Sequence, residues 1–259
     1  MADCYHDEHH SGLHRVGARP GDALEFLRSV DVGRSIADNA VASFQQRWYG
    51  DVKQKYAVEL TRHFGTRFRF GRGSHTFGSL RRFVLVSDPT AFPLVNHFFM
   101  LMVDPYYRWA AAEFVPARYA QGRPEITNAA FVPELQKHLP GTIGTRTAIR
   151  YGQSVLTSLR DNGVLAGKVK KTVTPPELSV ELLGFFLYWH AECGIGAGEF
   201  QRTPLFSSLL RAPEAYVPLF HEGERRGYWE FVGDASRLSA HLAFRGVDVW
   251  VVAETGGAA

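Results

Sequence analysis

The feature that most restricts the fold is the segment Gly141–Pro175, a long amphipathic run fenced by turn signals and followed by an alternating basic run. Gly141-Thr142-Ile143-Gly144 precedes the run and Asn162-Gly163 stops it, so the spacing predicts a helix from Thr145 to about Asn162. Ala148, Ile149, Val155, Leu156 and Leu159 form the apolar side. Arg146, Arg150, Gln153, Thr157 and Arg160 follow the same period on the other. Gly167-Lys168-Val169-Lys170-Lys171-Thr172-Val173 then alternates apolar and basic residues up to Pro175-Pro176, the pattern of a short strand pair or wing.

Upstream, Phe131, Leu135 and Leu139 fall four apart behind Thr127 and Asn128, predicting a shorter helix with Pro133 confined to its first turn. A helix, a tight turn, a second helix with a polar basic face and a basic ribbon together make a winged helix-turn-helix, which docks its second helix in the major groove. Thr145, Arg146, Arg150, Gln153, Thr157, Lys168, Lys170 and Lys171 are the candidate DNA contacts, with arginine suited to guanine and glutamine to adenine. Six basic residues against one acidic residue give this segment a charge of +5, more than the +3 of the whole 259-residue chain, so the basicity is focused here. Winged modules that bind only protein have the same pattern, and that alternative stays open.

A second basic stretch, Arg62–Arg82, has six arginines and no acid. Arg67, Arg69, Arg72, Arg81 and Arg82 are candidates for phosphate contact, with Phe68 or Phe70 stacking on a base. The competing reading puts the phenylalanines in the core and leaves the arginines solvated.

The rest reads as mainly α: a helical N-terminal bundle, the winged helix-turn-helix, and a C-terminal helical part with a short β-hairpin. The expected divisions are a disordered tail over 1–19, a helical domain over 20–104, the winged module over 105–176 and a helix-plus-hairpin module over 177–259. In the tail, His6, His9, His10 and His14 sit among polar residues with little to bury. Helices are expected near Ala23–Val30, over Gly33–Tyr49 (Ile36, Ala40, Phe44 and Trp48 four apart) and over Val52–Phe64. Two apolar helices, broken at Asp104-Pro105, are expected within Leu94–Tyr119. Glu177–Glu192 reads as a buried helix. Pro213–Arg226 reads as a helix leading into a hairpin of Tyr228–Val232 and Arg237–Phe244, with Val247–Ala253 as a final strand.

Neither apolar stretch, Phe83–Val103 or Leu182–Ile195, is long and uninterrupted enough to span a bilayer, and the N-terminus lacks a secretory pattern, so a cytoplasmic protein with no membrane contact is expected. Two cysteines, Cys4 and Cys193, are too few for a disulfide framework or a thiolate zinc site. Gly194–Gly198 departs from GxGxxG by one residue, and phosphate-loop, HExxH, CxxC and GxSxG motifs are missing from the sequence. Asp104, Glu113, Glu125 and Glu134 look like scattered, solvated carboxylates. The expectation is a protein without catalytic residues, cofactor or metal.

The run from Pro93 through Pro175-Pro176 also resembles the BrxA family of BREX phage-defence systems. The resemblance rests on the apolar helix, the aromatic stretch with Phe114, the Thr127–Phe131 start, Thr145–Thr147, Leu156-x-x-Leu159-x-x-x-Gly163-Val164-Leu165 and the lysine-rich segment. Leu205-Phe206 and Gly227–Phe231 also fit. The resemblance implies a mostly helical DNA-binding component working beside other BREX proteins. The family is also similar in part to helical RNA-binding antitermination factors, which keeps RNA open as a ligand.

Overall fold

The computed structural model describes residues 4–5, 16–71, 74–141, 143–234 and 236–256, and in it the chain is mainly helical with two small antiparallel sheets. The N-terminal helices are α1 (Pro20–Ser29), α2 (Ile36–Gln45), α3 (Gln54–Arg67) and α4 (Ser74–Val86). Pro20 occupies the first turn of α1, where its missing N–H costs nothing, and Ala23, Phe26 and Leu27 form the buried face. Ser35 caps α2 by accepting the Asp38 amide at 3.1 Å.

Helix α2 is shorter than the four-residue spacing predicts. It ends at Gln45, and Phe44 is 38% exposed while Asn39, Ala40 and Ser43 are buried. The reason is a close approach to α3: Ser43 Oγ reaches the Ala40 and Ala57 carbonyls, and Gly65 leaves the room that Ile36 fills. Small residues set the contact face, so the large Phe44 is turned out.

The middle of the chain holds α5 (Phe92–Val103), α6 (Pro105–Trp109), a π-helical turn (Ala110–Phe114) and α7 (Val115–Ala120). The expected break at Asp104-Pro105 is present, but Asp104 is buried rather than solvated. Its Oδ1 caps α6 by accepting the Tyr107 amide at 2.8 Å, and its Oδ2 accepts the Tyr151 hydroxyl at 2.8 Å. Burial pushes its carboxyl pKa up.

Next come β1 (Glu125–Ile126), α8 (Asn128–His138), α9 (Thr145–Asp161), β2 (Leu165–Ala166) and β3 (Lys171–Val173), the strands pairing antiparallel in the order β1-β3-β2. Thr127 caps α8 directly, so Pro133 lies in the helix interior and not in the first turn. The amide it lacks is the one that would bond the Ala129 carbonyl, and Ala129 lies on an exposed side of the helix. The C-terminal part comprises α10 (Val180–Glu192), α11 (Pro204–Ser208), α12 (Val217–Arg225), a hairpin of β4 (Trp229–Phe231) and β5 (Ala240–Leu242), and α13 (Val247–Glu254).

The last element corrects an expectation. Val247–Ala253 is helical, because Val247, Trp250 and Val251 fall at i, i+3 and i+4 and are buried, while Val249 and Val252 face outward. Trp250 packs over Gly184 of α10, where an added Cβ would lie 2.5 Å from Cζ2 of the indole. β-branched composition suggested a strand, and a helical burial period overrides it.

One continuous buried cluster links all the segments. Helices α5 and α10 form its axis: Phe98 meets Phe186 at 4.9 Å, Phe99 meets Trp189 at 4.8 Å, and Phe83 of α4 stacks on Phe185 at 4.5 Å. Within the stretch expected as a loose tail, the described residues Cys4, Tyr5, Val16 and Ala18 are buried. The histidines of that stretch lie outside the described residues. Among the described residues, no helix is long and apolar enough to cross a membrane.

Candidate nucleic-acid interface

Helix α9 forms where the sequence predicts it. Its stop is a Schellman turn: Gly163 sits at φ +82°, its amide bonds the Arg160 carbonyl at 3.0 Å, and the Val164 amide bonds that of Leu159 at 2.9 Å. Ala148, Tyr151, Gly152, Val155, Leu156 and Leu159 are buried, and Gly152 permits close contact with Val132 of α8. Ile149, expected on the apolar side, is 41% exposed.

On the outer face, Arg146, Arg150 and Gln153 are exposed and Thr157 is half-buried. Their spacing makes one stripe along about 16 Å of helix. Thr145, also exposed, opens the helix behind Gly144, which offers no side-chain cap. Beyond α9, the Gly167–Lys170 turn carries Lys168, Val169 and Lys170 outward, and Val169 is 88% exposed. Gly167 adopts φ +91° with the Lys170 carbonyl against the place a Cβ would take, so this turn requires glycine.

The candidate cations are not equivalent. Among the described residues, Arg146, Arg150 and Lys168 have no acidic partner. Lys170 is paired with Glu125 at 2.5 Å, and Arg160 with Asp161 at 2.6 Å. Lys171 is buried and donates to the Lys168 carbonyl at 2.9 Å, so it fastens the ribbon from inside and does not face a ligand. Its pKa is lowered by burial and by the nearby Arg160.

The Arg62–Arg82 stretch divides between arginines with internal partners and an exposed Arg62. Phe68 is buried and Phe70 packs on the core, as the second reading of this stretch holds, but four of the arginines are committed to internal partners and not left to solvent. Arg67 is buried and donates to the carbonyls of Gly17 (2.6 Å) and Ala18 (2.7 Å) and to Asn96 Oδ1 (3.0 Å). Burial pushes its pKa down to about 10. Arg69 donates to the Cys4 carbonyl, Arg81 to the Leu27 and Arg28 carbonyls at the end of α1, and Arg82 to Thr255. Arg72 lies outside the described residues.

Two features of the site are not legible in the sequence. Residues Val16–Arg19 run along α9, with the Ala18 amide donating to Ser158 Oγ at 2.9 Å, so Arg19 joins Gln153 and Thr157 in lining a shallow groove. Beneath the helix end lies a buried polar chain. Arg67 holds Asn96, and Asn96 Nδ2 donates to Asn162 Oδ1 at 2.9 Å. Asn162 Nδ2 donates to the Tyr107 hydroxyl at 2.9 Å, which meets His97 Nδ1 at 2.7 Å, while His97 Nε2 meets Ser208 Oγ at 2.8 Å. Ser208 spends its one proton on the Leu205 carbonyl at 2.6 Å, so His97 carries its proton on Nε2 and accepts from Tyr107 at Nδ1. Burial pushes the His97 pKa down to about 3.

A larger cleft lined by Asp88, Asp161, Glu177, Glu181 and Glu254 has the opposite charge and is unsuited to a polyanion. Among the described residues, no group of three or more His, Cys, Asp or Glu is arranged to hold a metal ion. Compared with known proteins, the chain matches no family model and no curated protein.

Proposed function

We propose that the chain is a non-catalytic DNA-binding protein that takes duplex DNA against the exposed face of α9 and the Lys168–Lys170 turn, with α7 through β3 acting as a winged helix-turn-helix. The observation that carries this reading is the stripe Arg146–Arg150–Gln153, uncovered along one helix face with its arginines free of acidic partners. Such a face offers phosphates two cations and base edges three donor side chains. The order helix, β1, α8, α9, β2, β3, with β3 central in the sheet, also suits a winged module, since it sets the ribbon beside the end of the outer helix. Exposed Ile149 and Val169 add apolar contacts of the kind that read a thymine methyl. Thr145 and Lys170 flank the contact surface; Lys171, Arg67, Arg69, Arg81 and Arg82 support the scaffold. A role beside other BREX proteins rests on the sequence resemblance alone.

The test is fluorescence anisotropy of a labelled duplex over a range of salt concentrations. Replacing Arg146, Arg150 and Lys168 together by glutamate is expected to reduce the slope of log K against log salt by about 3 if each cation meets a phosphate. Unchanged affinity and slope in the folded triple variant would refute the reading. Competition between duplex DNA and structured RNA at fixed salt decides which nucleic acid is preferred.

A further inference from the structure

The two cysteines of the chain lie far apart in sequence, yet the fold brings Cys4 to the end of α10 beside Cys193, where each thiol perturbs the other. Two contacts hold them there. Tyr5, next to Cys4, donates its hydroxyl to His190 Nε2 at 2.8 Å in the last turn of α10, and Cys193 is the residue that ends that helix. The direction of this bond is fixed because His190 Nδ1 faces the Phe186 carbonyl at 2.8 Å and must carry the proton. Arg69 Nη2 donates to the Cys4 carbonyl at 3.0 Å, and the Arg69 charge acts on Cys193 as well. Arg69 adopts φ +57°, a left-handed conformation that non-glycine residues seldom take, as it delivers the guanidinium to this spot.

The two thiols differ in environment. Cys4 is fully buried, and Cys193 is partly exposed. The influence of Cys4 and the charge of Arg69 lower the Cys193 pKa, whereas the influence of Cys193 and burial raise that of Cys4. An accessible, activated sulfur with a second cysteine beside it is the arrangement of an attacking and a resolving cysteine.

We infer that Cys4 and Cys193 form a redox-sensitive pair, which hydrogen peroxide converts to an intramolecular disulfide that ties the N-terminal segment to the end of α10. The Cys193 thiolate attacks peroxide, forming an S–O bond as the O–O bond breaks and hydroxide leaves, to be protonated to water. The Cys4 sulfur then attacks the sulfenic sulfur, forming the S–S bond and expelling a second water with the Cys4 proton. Two thiols and one peroxide thus give one disulfide and two waters. In a reducing environment the pair stays as dithiol and closes only under oxidant challenge.

The experiment treats the native protein with a small excess of hydrogen peroxide, blocks remaining thiols with iodoacetamide under denaturing conditions, and measures intact mass and non-reduced peptides. The expected product is a monomer lighter by two hydrogen atoms, with a Cys4–Cys193 crosslinked peptide that dithiothreitol reverses. In Cys4→Ser the sulfenic acid has no resolving partner, so Cys193 is expected to proceed to the sulfinic state. Arg69→Gln should slow the wild-type reaction several-fold at neutral pH. Oxygen addition at Cys193 with Cys4 still alkylatable, disulfide-linked dimers as the main product, or no reaction where free cysteine is oxidised would each overturn the inference.

Discussion

Mild acid should destabilise this fold in a way that His97 makes measurable. His97 and His190 are buried and neutral, with pKa values pushed down to about 3 and about 4. Protonating His97 at Nδ1 would reverse the bond from Tyr107 and leave the tyrosine proton without an acceptor, because the tyrosine oxygen already accepts from Asn162. Both folded values lie below that of an unfolded imidazole, so the unfolded chain takes up protons first. The stabilisation is therefore present above about pH 6.5 and is lost as pH falls toward the folded values. Between pH 7 and pH 5 each histidine should withdraw about 2 kcal/mol, and the pair about 4. Asp104 works in the opposite sense, since its raised pKa lets the folded state bind a proton first. The difference between wild type and His97→Gln cancels that contribution, and glutamine still has a donor for Ser208 and an acceptor for Tyr107. Urea unfolding followed by tryptophan fluorescence at both pH values is expected to show a stability loss smaller by about 2 kcal/mol in the variant. Equal losses in the two proteins would refute the neutral, buried assignment of His97. Because this network passes through Asn162, the residue that closes α9, acid should also lower the amide-exchange protection factors at the C-terminal end of that helix.

Other substitutions separate scaffold from interface. Arg67→Ala strips the donors from the Gly17 and Ala18 carbonyls and from Asn96 Oδ1, and should cost about 3 kcal/mol in urea unfolding. A loss near zero would mean that this guanidinium is solvated after all. Gly184→Ala places a methyl against the Trp250 indole; overpacking of about 1–3 kcal/mol should outweigh the better helix propensity and shift tryptophan fluorescence. Lys168→Glu should weaken duplex binding without changing the thermal midpoint, whereas Lys171→Glu should lower the midpoint by burying a carboxylate where an ammonium meets the Lys168 carbonyl. Equal midpoints for the two lysine variants would contradict the inward position of Lys171.

Much of the fold was legible because it is written locally. The bounds of α9 depend on Gly144 and on Asn162-Gly163, residues adjacent to the helix they delimit, and the ribbon depends on Gly167 and on alternation over a few positions. The break at Asp104-Pro105 and the hairpin of Trp229–Phe231 with Ala240–Leu242 are of the same kind. Where local signals conflict, as in the β-branched run Val247–Ala253, the surface available for burial decides, and α4 and α10 offer a helix-shaped one.

The candidate interface divides along the same line. By itself, the sequence determined that a helix with a basic face and a basic ribbon would form between Thr145 and Val173, since the period and the turn residues are contained in the segment. Only the tertiary structure decided which cations face outward. Arg67, Arg69, Arg81 and Arg82 read as a basic patch, yet each is spent on an acceptor supplied from a distant part of the chain. Cys4, Tyr5 and Val16–Arg19 are drawn in because α9 and α10 leave apolar surface and hydrogen-bonding groups for them to cover. A side chain's charge and period are local properties, whereas its exposure depends on which remote backbone carbonyls lack donors, and those are fixed only when the helices pack.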